Sequence, residues 1–159
     1  MEIVEKPIGS ITPYEKNPRD NDAAVEYVAN SIRDFGFKVP IVVDRDGVIV
    51  AGHTRLKAAK RLHLKTVPCI VANDLSPEKI KAFRLADNKV GEMATWNPDL
   101  LLGELKDLVD LDYPMDQFGF DLTGLDVALD PEEQEDEKEN ERERTMDAYN
   151  LHDYDPGRT

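Results

Sequence analysis

Apolar residues recur at helical spacing through Val25, Val28, Ala29, Ile32 and Phe35, with Gly36 directly after them, and predict a helix over about 22–35. The period then shortens. Residues 39–43 and 48–50 are β-branched runs on either side of Asp44-Arg45-Asp46-Gly47, the pattern of a hairpin. A one-glycine corner at Gly52 leads from the second run into a basic helix that reaches Leu62 and buries Leu56, Ala59 and Leu62. Residues 67–72 predict a third strand. Ser76-Pro77-Glu78 opens the next helix with a cap residue followed by proline, and Ile80, Phe83, Ala86 or Asp87, and Val90 form its expected buried stripe. Asn97-Pro98-Asp99 repeats that signal before a helix through Leu101, Leu105 and Leu108, with Trp96 placed to staple it. Residues 7–20 hold three prolines and an Asn-Pro pair, which keep the segment extended or turning. After Leu111, Tyr113 and Phe118-Gly119-Phe120 are expected to seal one edge of the core. The pattern predicts a small α/β (α+β) domain, a mixed short-stranded sheet flanked by helices.

At 159 residues, 40% hydrophobic and 33% charged, the chain has material for one modest core, expected over 1–125. The net charge of −13 is unevenly placed: thirteen acidic and four basic residues follow from Asp126 on, leaving the first 125 residues only mildly acidic. That balance argues against nonspecific nucleic-acid binding by the whole molecule. The acidic, flexible C-terminal tail divides at 144. Residues 126–144 read as a linker, disordered or partly helical, because nearly every side chain from 130 to 144 is charged. Apolar residues return at Met146, Tyr149, Leu151 and Tyr154, so 145–159 reads as a docking segment for a protein partner, centred on 145–156, as the start of a second module, or as an unstructured end. The single cysteine, Cys69, excludes an internal disulfide framework and a cysteine zinc cluster, and sits in an apolar run as a core residue. The first residues carry no apolar signal region and no run is long enough to cross a bilayer, so a soluble cytoplasmic protein of a bacterial or phage-infected cell is expected.

Candidate chemistry collects at the glycine corner. A strand that runs through glycine into a helix aims the helix's free N–H groups past the strand end, where they can bind an anion. His53, Thr54 and Arg55 occupy that first turn. An arginine at a helix start runs against the helix dipole and suggests a ligand that brings negative charge; the alternative is an N-cap by Thr54 with Arg55 solvated. Asn17 and Arg19 in the first loop, and the carboxylate–amide pair Asp87-Asn88, complete the candidates. Lys57, Lys60 and Arg61 line the other face of the basic helix, either solvated or as DNA contacts. Walker, Gly-x-Gly-x-x-Gly and nucleophile-elbow motifs are absent, and His53, His63 and His152 lack zinc-protease spacing. Asp44 and Asp46 read as turn residues.

Six pieces occur in one order: Tyr14-Glu15-Lys16-Asn17-Pro18-Arg19, Ser31-Ile32-Arg33-Asp34-Phe35-Gly36, Val39-Pro40-Ile41-Val42-Val43, the run from Ile49 to Ala59, Val67-Pro68, and Leu85-Ala86-Asp87-Asn88-Lys89. Over about 8–111 the chain thereby resembles the ParB/sulfiredoxin-like N-terminal domain, also called the ParB-like nuclease domain, of phages and mobile elements. The resemblance implies a phosphate site at Gly52 and Arg55, with His53 and Thr54 between them, for a nucleoside triphosphate or diphosphate. It also implies Mg2+ at Asp87 and Asn88, and Arg19 facing the nucleotide. In ParB proteins the corner reads Gly-Glu-Arg-Arg and holds the phosphates of CTP; His53 and Thr54 replace its inner pair, so the base stays open. The catalytic cysteine of sulfiredoxins falls at His53, so sulfinic-acid reduction is not expected. No helix-turn-helix reader is legible after the domain, and chromosome segregation is not expected either. The leading expectation is a nucleotide-binding domain of phage or plasmid DNA metabolism. Hydrolysis or phosphoryl transfer is left open, with His53 as general base and Arg55 stabilising charge. The alternatives are a DNA-binding or nuclease module, and an inactive adaptor that recruits a DNA-modifying or packaging partner through its tail.

Overall fold

Four short strands make one sheet in the order β1-β4-β2-β3 in the computed structural model, which describes residues 1–123 and Leu125. They are β1 (Ile3–Pro7), β2 (Ile41–Val43), β3 (Ile49–Ala51) and β4 (Thr66–Val71). The expected linker at 126–144 and docking segment at 145–159 lie outside the described residues. Two compact units divide the chain: 1–97 with 114–121, and a second whose described residues are 98–113, 122, 123 and 125.

The hairpin β2–β3 forms where expected, and its turn is held from within. Asp44 Oδ1 accepts the N–H groups of Asp46 and Val48, each at 2.9 Å, and Gly47 takes the positive φ that closes the loop. Asp44 and Asp46 are therefore turn residues. β2 also pairs in parallel with β4, Ile41 opposite Cys69 and Val43 opposite Val71. Parallel neighbours need a crossover, and β3 followed by α2 (His53–Arg61) supplies it. β1 was not legible in the sequence: it is a five-residue edge strand, antiparallel to β4, with Ile3 opposite Ile70 and Pro7 opposite Thr66.

The core is a single cluster in which Ile41, Val43 and Ile49 of the hairpin, Val67 and Cys69 of β4 and Leu56 of α2 are fully or almost fully enclosed. Burial pushes the Cys69 thiol up, as suits an inert core residue. On α2, Ala58 is fully buried and Leu62 only half-buried, a correction to the expected face. Helix α1 (Val25–Phe35), entered through a 3-10 turn at Asp22–Ala24 and ended by Gly36 at φ +84°, packs on α2. The Phe118 ring lies 5.1 Å from that of Phe35, which is itself 45% exposed, so the pair packs beside α1 and outside the core cluster.

Helix α3 (Pro77–Met93) begins as its sequence promises: Ser76 Oγ accepts the Lys79 N–H at 3.4 Å. Its buried stripe does not. Only Ile80 is buried, while Phe83 is 39% and Val90 67% exposed. The inward face carries Ile80, Arg84 and Asn88, four residues apart, so beyond Ile80 the helix turns a different and polar face inward from the one expected. Trp96 stays 70% exposed beside Phe120. In the second unit, α4 (Pro98–Asp110) buries Leu105. No described helix is long and apolar enough to cross a membrane.

Candidate functional site

The corner is set by one backbone torsion. β3 ends at Ala51, Gly52 adopts φ +113° and ψ 29°, and α2 starts at His53. The Gly52 carbonyl accepts the Leu56 N–H at 3.0 Å, the first bond of the helix. Gly52 thus holds the N-cap position and no side chain caps the helix, which overturns the Thr54 cap. The N–H groups of residues 53, 54 and 55 have no partner within a helix that starts here.

Arg55 is not a solvated side chain. Its Nη1 donates to the carbonyls of Val39, at 3.0 Å, and Pro40, folding the guanidinium back against the approach to β2. Burial lowers its pKa and the nearby Asp87 carboxylate opposes that shift. The corner therefore already feels a negative group on α3.

The first loop is stitched along the open edge of β3. Thr12 donates to Gly47 and accepts from Ile49, each at 2.9 Å. Two residues on, the Tyr14 N–H donates to His53 Nε2 at 3.1 Å. This bond fixes the neutral tautomer, since an accepting Nε2 puts the proton on Nδ1. Further along, Arg19 Nη1 donates to Asn88 Oδ1 at 3.1 Å, and Asn88 Nδ2 donates to the Arg84 carbonyl at 2.9 Å.

A polar cleft of about 600 Å³ lies between these parts. Arg19 of the first loop, Gly52, His53, Thr54 and Arg55 of the corner, and Asp87 and Asn88 of α3 all line it. Every nucleotide and metal candidate read from the sequence is in this one cleft. Among the described residues no three His, Cys, Asp or Glu side chains converge as a metal site. Asp87 is the single carboxylate reaching the corner from α3, a donor set that suits a hard cation completing its shell with water and phosphate oxygens. The basic face of α2 is less free than its sequence suggests. Lys57 Nζ sits 2.5 Å from Asp22 Oδ1 and 3.0 Å from Asn21 Oδ1, while Lys60 and Arg61 remain exposed.

Burial, Arg84 and Lys57 lower the His53 pKa, in that order of effect. The folded state resists protonating this ring more than the unfolded chain does. Its contribution to stability is therefore complete above the ordinary histidine value of 6.5 and is lost as the pH falls below it. On acidification the wild type should lose stability relative to His53→Gln, which retains a hydrogen-bond acceptor but no titrating group. Urea unfolding of both proteins on either side of that value checks this. Parallel losses would mean that burial, Arg84 and Lys57 do not hold the ring neutral.

Sequence reasoning missed Arg84 and Tyr14. Arg84 Nε donates to the Ile49 carbonyl at 3.0 Å, Nη2 lies 3.6 Å from Asp44 Oδ2, and the guanidinium carbon stands 3.9 Å from the Tyr14 ring centroid. The available signal was its spacing, one helical turn before Asn88 on the face that starts at Ile80.

Residues 1–89 match the family model described as the ParB N-terminal domain. The ParB-like nuclease domain-containing protein YnaK of Escherichia coli is 36% identical over 80 residues, 50% of this chain and 92% of that protein. The probable chromosome-partitioning protein ParB of Campylobacter jejuni is 34% identical over 107 residues, 64% of this chain and 37% of that protein. The chain thus spans nearly all of the first relative and little more than a third of the second. Among solved structures, C-terminally truncated ParB from Caulobacter crescentus, complexed with CTP-gamma-S, aligns with a TM-score of 0.62 at 27% identity, over 74% of this chain and 71% of that one.

Proposed function

The chain belongs to the ParB N-terminal domain family, and on that premise we propose that its polar cleft binds a nucleoside triphosphate or diphosphate together with Mg2+, in a DNA-associated role. The convergence of a loop arginine, a helix start with free N–H groups and an α3 carboxylate on one cleft carries this reading. The Caulobacter relative, solved with a CTP analogue, supports it.

In this reading the N–H groups of residues 53–55 and the Arg55 guanidinium hold phosphate oxygens, and Arg19 adds a second cation from the first loop. Asp87 holds the metal with Asn88 beside it, its amide fixed at one end by Arg19 and at the other by the Arg84 carbonyl. Bound Mg2+ would neutralise phosphate charge. The proposal is binding rather than turnover. His53 Nε2 already accepts the Tyr14 N–H, so the ring positions the loop and has no free lone pair for a general base. The DNA-contact reading of Lys57, Lys60 and Arg61 has less support, because Lys57 closes on Asp22.

Calorimetric titration of CTP, ATP, GTP and their diphosphates with Mg2+, on wild type and Arg55→Ala, tests the proposal. One nucleotide should bind the wild type and lose about 10- to 100-fold in the variant, the range for a charge-assisted hydrogen bond. Failure of every nucleotide to bind, or equal binding by a folded Arg55→Ala, would sink it.

A further inference from the structure

Arg84 joins three of the parts that carry the cleft, α3, β3 and the first loop, yet it is not among the cleft's lining residues. Its backbone belongs to α3, where its carbonyl accepts Asn88 Nδ2 one turn on. Its side chain leaves the helix and reaches the sheet. There Nε donates to Ile49 at the start of β3, two residues before the strand ends at the corner. Nη2 faces Asp44 in the hairpin turn, and the flat guanidinium lies against the Tyr14 ring, whose own N–H holds His53. The side chain is only 12% exposed, so these contacts are made largely out of water. Nη2 is buried without a hydrogen bond, its charge answered by the Asp44 carboxylate at 3.6 Å.

We propose that Arg84 is the positioning residue of the nucleotide site, setting the separation between the 52–55 corner and the Asp87–Asn88 pair. The inference rests on the nucleotide reading of the cleft. Apart from Ile80, α3 has no buried side chain to fix its rotation and its distance from β3. A helix turned by a few degrees, or moved by an ångström, would carry Asp87 away from Arg55 and pull Asn88 from Arg19. Arg84 prevents this with one planar group that donates, pairs and stacks at once. Lysine keeps the charge and loses the fork and the stacked face, so it is not a conservative replacement here.

Three proteins test the proposal: wild type, Arg84→Lys and Val67→Ala. Val67 is fully buried in the core and lines no part of the cleft, so its variant reports what lost stability alone does to binding. The probe is the nucleotide that binds wild type most tightly in the titrations above, measured with and without Mg2+, well below the melting temperature of each protein. Arg84→Lys should bind about tenfold or more weakly and lose most of the gain from Mg2+, while Val67→Ala keeps wild-type affinity. Wild-type affinity in Arg84→Lys, or an equal loss in Val67→Ala, overturns the positioning role and leaves nucleotide binding standing. If wild type binds no nucleotide, both readings fall together.

A second arm needs no nucleotide. With the guanidinium removed in Arg84→Met, the His53 ring followed by NMR should titrate closer to ordinary histidine, leaving Lys57 as the other nearby cation. An unchanged titration in a folded variant would contradict the placement of the Arg84 guanidinium against Tyr14, beside His53, on which the positioning role rests.

Discussion

Gly52→Val is expected to lose more than about 3 kcal/mol of folding stability and, in the fraction that stays folded, to lose nucleotide binding. Two effects add. At φ +113° a β-branched residue is strained by its own backbone, where glycine is not. A Cβ at this position would also lie 3.3 Å from Ile41 Cγ1 and 3.4 Å from Arg55 Cζ, before any γ-carbon is placed. Ile41 is fully buried on β2 and has nowhere to go. Arg55 can move, but only by leaving the carbonyls of Val39 and Pro40 and the wall of the cleft. Urea unfolding and calorimetry measure the two losses; Gly52→Ala should show both at smaller size. A valine variant with wild-type stability would mean that the corner is not built on a left-handed residue.

Leu56→Ala should be the most destabilising truncation on α2, at about 3–5 kcal/mol. The side chain is 1% exposed and packs in the cluster formed by the hairpin and β4. A domain of this size is stable by roughly 5–15 kcal/mol, so a large share of the folded population is at stake near body temperature. Leu56 does not line the cleft, so the protein that remains folded at low temperature should keep its nucleotide affinity. Chemical denaturation gives the first quantity and titration in the cold the second. A loss below about 1 kcal/mol would contradict tight packing at that position.

These two positions also mark what the sequence could tell. Gly52 stood out because a strand, one glycine and a basic helix follow one another there, and the chain has to bend where only glycine bends freely. The hairpin was legible from Asp-Gly between β-branched runs, and the start of α3 from Ser76-Pro77. Such signals are local. β1 escaped because its partner is β4, some sixty residues away, and five residues of an edge strand carry no period of their own. The stripe on α3 was misread because hydrophobicity marks a buried face only when that face is buried by apolar contact. Here Arg84 and Asn88 make a neighbouring, polar face the inward one, fixed by partners on β3, the hairpin turn and the first loop that no spacing within the helix reveals. The cleft residues were found one motif at a time; that His53 is tied to Tyr14, and Arg55 to the backbone before β2, needed the fold.

The single buried apolar anchor of α3 has a consequence for how the domain comes apart. The hydrogen-bonded amides of Ile49 on β3 and Leu56 on α2 belong to the core, so their protons are released only when the whole unit unfolds. The later turns of α3, with Leu85, Val90 and Met93 turned to solvent, are held by polar contacts and can open alone. A ligand that bridges the two halves binds the closed form and not the opened one, and it raises the opening free energy of the helix with the logarithm of its concentration over its dissociation constant. Protection of the α3 amides against hydrogen exchange would then report occupancy of the cleft, while the amides of Ile49 and Leu56 would exchange only through global unfolding.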